Sequence, residues 1–277
     1  MKKVLKFIIE VIKKSFKDKI DLHSANAAFF VTVSFVPFIM LLLGMVRFLP
    51  LEESTVIKEI VAVFPKGARP AISAIVSETY DKSGVALISI TAITTLWAAS
   101  IGVHALVTGL NLIFNEHETR NFLVLRLMSM IYTLLLMALL LSCLIFFVFG
   151  NTIVSWLSGH IPWMFEIAPL FMSLRMAVGV AVLSIFFVTM YTVIPARKTK
   201  LYIQIPGALL SAVGWIGCSA LFSHYYENMS NFSYLYSSLS VIVFFMLWIF
   251  FCMCILFVGA EVNRCIEERI ERKSFLG

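Results

Sequence analysis

The sequence predicts an all-α, polytopic membrane protein of six transmembrane helices with both termini inside, a basic amphipathic N-terminal helix, and short amphipathic helices in the first outer loop. Three observations predict it. First, apolar runs of bilayer length recur along the chain. The strongest, Leu239 to Ala260, lies in a stretch with no charged residue between Glu227 and Glu261; about 20 such residues, rising roughly 1.5 Å each, cross the hydrocarbon of a membrane. Second, 60% of the residues are hydrophobic, 14% are charged and the mean hydropathy is +0.95, a balance foreign to soluble surfaces. Third, 16 of the 22 Lys and Arg fall in segments assigned to the inner side, five fall in outer segments, and Arg175 lies within a span. Basic loops stay on the cytoplasmic side of a membrane, and this asymmetry orients the helices.

The elements follow in order. In residues 1–20, Leu5, Ile8, Ile9, Ile12 and Phe16 recur at helical spacing among seven lysines. This pattern suits a helix lying in the inner interface, with anionic lipid as the partner of the lysines. The membrane domain is expected over 21–263, with spans at 25–46, 85–114, 123–149, 169–194, 205–226 and 236–260. Pro37 inside the first span predicts a kink, because proline removes a backbone donor. Residues 51–82 are too charged to span, yet Val56, Ile60 and Val61, then Ile72 and Val76, keep helical period; two short helices on the outer face are expected. The loop after the third span holds Trp163 and Glu166 and no Lys or Arg, as an outer segment should. Residues 264–277 read as a basic cytoplasmic tail.

The net charge of +6 comes from short basic segments between apolar spans, so topology and lipid account for it and nucleic acid is not an expected partner. No cysteine falls in an outer loop, which argues against an external disulfide.

The ordered motifs Asp21-Leu22-His23-Ser24-Ala25-Asn26-Ala27-Ala28-Phe29-Phe30, then Leu96-Trp97-Ala98-Ala99-Ser100 with Leu110-Asn111, Pro206-Gly207-Ala208, and Tyr236-Ser237-Ser238-Leu239 with Trp248 and Gly259-Ala260-Glu261 resemble the YihY/virulence factor BrkB family. The resemblance covers about 21–263, and it departs at Ser237, where the family usually has Gly. It implies a six-helix protein of the bacterial cytoplasmic membrane. The family's labels, from ribonuclease BN to transporter, leave the activity open.

Within the second span, Trp97, Ser100, His104, Thr108, Asn111 and Asn115 share one helical face, while Ala98, Gly102, Ala105 and Gly109 form a stripe of small residues. Small residues let helices approach closely. The polar face serves either interhelical hydrogen bonds or a cavity, with His104 as a candidate proton relay. Arg175 inside the fourth span must snorkel, pair within the bundle or bind an anionic group. Asp21, Asn26, Asn111 and Glu261 lie at similar depth and could form a polar vestibule at the inner side. The candidate pathway residues are therefore His104, Asn111, Arg175, Glu261, Asn26, Trp97 and Asp21. No P-loop, H-E-x-x-H or G-x-S-x-G motif is present, and the five histidines are scattered. Neither an enzyme nor a cofactor is expected, and a ribonuclease would lack a soluble domain to hold its ligands. The expected function is a transporter or a translocator of lipid or another amphiphile, working through a polar cavity between helices, with an envelope-assembly scaffold as the alternative.

Overall fold

The structure, a computed structural model, describes the backbone of residues 2–46, 53–62, 69–70, 72–74, 76–78, 90–116, 120–160, 175–196, 199–228 and 237–276. Among these residues the ordered elements are helices: α1 (Lys2–Lys17), α2 (Ile20–Val46), α3 (Glu53–Ala62), α4 (Ile90–Ile113), α5 (Phe122–His160), α6 (Arg175–Val193), α7 (Leu201–Asn228) and α8 (Ser237–Leu276). Five of them are long and apolar enough to cross a membrane, namely α2, α4, α5, α7 and α8, and α6 contributes a shorter apolar stretch, Gly179–Val193. The described parts of the expected spans are apolar helix, and α5 runs on to His160, past the expected end of the third span at 149. The outer loop around Trp163 and Glu166, and the first residues of the expected second and fourth spans, lie outside the described residues.

Helix ends explain where the chain turns. Lys19 adopts a φ of 50° between α1 and α2, so α2 begins at Ile20, five residues before the apolar run suggests. At the end of α4, Asn115 takes a φ of 56°. Its amide bonds to the Leu112 carbonyl at 3.0 Å and the Glu116 amide to the Asn111 carbonyl at 2.8 Å. These two bonds around a left-handed residue close a helix C-terminus, and asparagine tolerates that conformation well. Asn115, expected on the polar face, therefore serves as a helix stop.

The helix α2 continues through Pro37. The residues expected as a basic tail continue α8, which extends for 40 residues, roughly 60 Å at the rise of an α-helix. About half of that length exceeds the hydrocarbon thickness of a bilayer, and the excess packs against α1. In the segment expected as the first outer loop, α3 is present, and residues 72–74 and 76–78 are helical with Ile72 and Val76 buried.

Helix α8 is central, flanked by α2, α7 and α4, with α4 also against α2 and α5, and α6 against α7. The small-residue stripe of α4 acts as predicted. A side chain at Gly102 would strike Ser34 and Val31 of α2, and one at Gly109 would meet the Phe257 ring of α8 at 2.5 Å. Aromatic rings tie the other helices together: Phe187 to Trp215 at 5.7 Å, Trp215 to Trp248 at 6.2 Å, Trp248 to Phe245 at 5.9 Å and Phe245 to Phe35 at 5.1 Å between centroids. Lipid tails are as apolar as these side chains, so close packing rather than hydrophobic exclusion holds such helices together.

Candidate functional site: a polar seam and a polar lock

Two polar systems lie inside the bundle. One is a seam between α4 and α5. Arg126, Ser129, Thr133 and Met137 recur at three- and four-residue intervals on α5 and are all buried, so they share the face that packs on α4. Opposite them, α4 presents Trp97, Ser100 and His104. The Arg126 guanidinium sits 4.6 Å from the centroid of the Trp97 ring, and its Nη2 donates to the Trp97 carbonyl at 2.6 Å. The Ser129 hydroxyl lies 3.4 Å from Nδ1 of His104. Several hydroxyls satisfy themselves on their own helix, Ser100 on the Trp97 carbonyl at 2.8 Å, Ser129 on Leu125 at 2.9 Å and Thr133 on Ser129 at 2.7 Å.

The seam borders an open groove of about 170 Å³. Leu41 and Met45 of α2, Ile93 and Leu96 of α4, and Leu134 and Met137 of α5 line it. Leu96 adjoins Trp97 in sequence, and Met137 ends the buried stripe that starts at Arg126. The open space at this seam is therefore apolar, where a polar cavity was expected, and the polar groups stand beside it.

The second system is a lock at the pole that carries both chain ends. Asn111 accepts the amide of Ala196 at 2.9 Å, which ties the end of α4 to the connection after α6. Asn263 accepts the Gly207 amide at 2.7 Å and donates to the Gln204 carbonyl at 3.1 Å. The Tyr191 hydroxyl lies 2.7 Å from the Ser211 hydroxyl and donates to the Leu256 carbonyl at 2.7 Å. Glu261 is fully buried. Its Oε2 has no hydrogen-bond partner among the described residues, and the nearest cation is Arg264 at 3.8 Å. Arg264 also bonds Asp18 at 2.6 Å, the Ile113 carbonyl at 2.6 Å and Glu268 at 3.2 Å. Lys14 joins Glu268 at 2.7 Å, and Arg269 pairs with Glu10. These bonds clamp α1 along the α8 extension while Leu5, Ile8, Ile12 and Phe16 stay exposed.

The predicted residues separate accordingly. Trp97 and His104 belong to the seam. Asn111 and Glu261 belong to the lock. Asp21 and Asn26 are exposed on α2, whereas Asn111 and Glu261 are buried. The backbone of Arg175 opens α6, but its side chain lies outside the described residues. Arg126 is the seam residue that sequence reasoning missed, counted only as an inner flanking charge. The recurrence of Arg126, Ser129 and Thr133 down one face is the signal that could have found it. Gln204, Asn263, Tyr191 and Ser211 of the lock were also passed over, because single polar residues in apolar runs carry no partner information. Among the described residues no three His, Cys, Asp or Glu side chains gather as a metal would require.

A family model described as Virulence factor BrkB matches residues 11–275. A ribonuclease-like protein named YfkH, from Bacillus subtilis, is 30% identical over 246 residues, covering 89% of this chain and 90% of that relative. A UPF0761 membrane protein of Photobacterium profundum is 22% identical over 278 residues, covering 97% of this chain and 83% of the relative. No solved structure matches the chain significantly.

Proposed function

The chain belongs to the Virulence factor BrkB family of multi-pass bacterial membrane proteins, and from that premise we propose that it translocates a lipid or another amphiphile and catalyses no covalent step. The observation that carries this reading is the junction of the α4–α5 polar seam with the apolar groove, which sets a polar anchor beside room for a chain. An apolar cavity of about 150 Å³ stays dry and takes up a molecule the size of benzene, so a groove of about 170 Å³ suits a segment of an alkyl chain. The groove is open, as a substrate arriving from surrounding lipid requires. With both termini inside, as the basic residues favour, the remaining lysines of α1 face anionic lipid of the inner leaflet and the exposed apolar face of α1 enters the interface.

The nuclease in the Bacillus relative's name is said of that protein alone. The second reading, a scaffold for envelope assembly, is favoured by the lock, where Asn111 spends its side-chain oxygen on the connection after α6, and Asn263 and Tyr191 bond neighbouring helices. Reconstitution into vesicles decides between the two. Translocation predicts that the native chain moves a fluorescent amphiphile between leaflets faster than empty vesicles do, and that His104→Ala or Trp97→Leu slows this while insertion and melting temperature hold. Equal rates with and without native protein support the scaffold.

A further inference from the structure

Among the described residues, Arg126 is a charge without a counter-ion. It is only 5% exposed and lies within the apolar span Phe122–Leu141. Neither α4 nor α5 contains an Asp or Glu, so the two helices that enclose the guanidinium offer it no carboxylate. Its Nε has no hydrogen-bond partner among the described residues. The Trp97 carbonyl that accepts Nη2 also accepts the Ser100 hydroxyl. A guanidinium is permanently charged, carries five donors and accepts nothing. The Trp97 ring face attracts it but neutralises no charge, and buried charges in membrane spans mark binding sites or pathways.

Its depth fits a ligand better than a topological anchor. Arg126 is the fifth residue of α5, yet its guanidinium reaches Trp97, which precedes the end of α4 at Ile113 by 16 residues, roughly 24 Å along a helix. A side chain serving only to mark the inner rim would extend the opposite way, toward water. Here it extends along the seam toward the groove.

We infer that Arg126 binds the oxyanion of an amphiphile's headgroup, a phosphate or a carboxylate, while the attached chain occupies the groove between Leu41, Leu96 and Met137. This rests on the translocator reading and names the class of its substrate. A planar guanidinium pairs with such oxyanions through two parallel hydrogen bonds, and Ser129 and His104 stand next along the seam to contact the rest of a headgroup.

The test uses the purified full-length chain and native mass spectrometry of bound molecules. The probes are phosphatidylglycerol, a fatty acid, a diacylglycerol with the same chains, and inorganic phosphate. The native chain should retain the two anionic amphiphiles about tenfold or more above diacylglycerol, the scale at which losing one partner of a buried charge pair is felt. Arg126→Gln should abolish that preference, and Arg126→Lys should keep part of it, since lysine retains charge but not the fork. Met137→Trp, which fills the groove, should weaken all three amphiphiles. Equal retention of anionic and neutral amphiphiles by the native chain overturns the inference while leaving the translocator reading intact. Inorganic phosphate displacing nothing, with anionic amphiphiles still preferred, supports a joint headgroup and chain site. Phosphate binding at Arg126 as tightly as the amphiphiles overturns the amphiphile assignment and the translocator reading with it. If Arg126→Gln does not fold, the headgroup preference of the native chain and its reduction in Arg126→Lys decide the matter.

Discussion

Asn263 holds Gly207 in place: the Gly207 amide donates to Asn263 Oδ1 over 2.7 Å, and the same side chain returns a bond to the Gln204 carbonyl at 3.1 Å. One turn earlier on α8, Gly259 faces Gly207 so closely that an added methyl group would strike the Gly207 carbonyl and the hydroxyls of Ser211 and Tyr191. Two glycines bring the backbones of α7 and α8 together, and the asparagine uses that proximity to bridge them with two hydrogen bonds.

Gly259→Ala should therefore destabilise the chain by about 1–3 kcal/mol, the usual cost of forcing extra volume into a packed core. Asn263→Ala should cost a comparable amount, about 1–3 kcal/mol, because it removes two buried hydrogen bonds between α7 and α8. Thermal unfolding in detergent measures both, and melting temperatures equal to that of the native chain would contradict the packing described.

Arg264 supplies the only cation within ion-pair distance of buried Glu261 among the described residues. Removing one partner of a buried pair costs on the order of 3–5 kcal/mol, since it strands the other charge. Arg264→Ala should destabilise the chain on that scale, and adding Glu261→Gln should restore part of the loss. A double variant no more stable than Arg264→Ala alone would show that the two charges are not coupled.

Gly109→Ala should cost about 1–3 kcal/mol by overpacking, because Phe257 is fully buried and its ring occupies the space that a methyl group would need. Phe257→Leu placed in the same chain should recover most of it. The readout is again the melting temperature, and additivity of the two losses would argue against their contact.

The clamp on α1 gives a charge-swap test. Lys14→Glu sets two acids against each other at Glu268 and should speed tryptic cleavage within α1. The reciprocal Glu268→Lys should restore protection in the double variant. Both side chains are partly exposed, so the stability change should stay within about 1 kcal/mol, and the cleavage rate is the sensitive measure.

The spans were legible because a bilayer imposes a length and an uncharged composition that local sequence must obey. The close-packing role of Gly102 and Gly109 was legible for a similar reason, since small residues on one helical face serve close approach. The extent of α8 was not. Charges usually end a span, and Arg264 with Glu268 reads as a tail until α1 appears beside it and its acids and lysines pair with the extension. Nor was the division of the polar residues legible: Asp21, Asn26, Asn111 and Glu261 share a depth, but depth says nothing of which way a side chain points.

By itself, the amino-acid order determined the solvent, the helical class, the approximate spans and the face of α4 that is polar, because each of these follows from composition and a period of 3.6 residues. Only the tertiary structure decided that Arg126 turns inward to Trp97, that Glu261 answers to Arg264, and that an apolar groove opens beside the seam. The Glu261–Arg264 pair is the exception, an i,i+3 neighbour on one helix that local order does offer; the others are relations between helices distant in sequence, set by how their surfaces pack, and no local pattern encodes them.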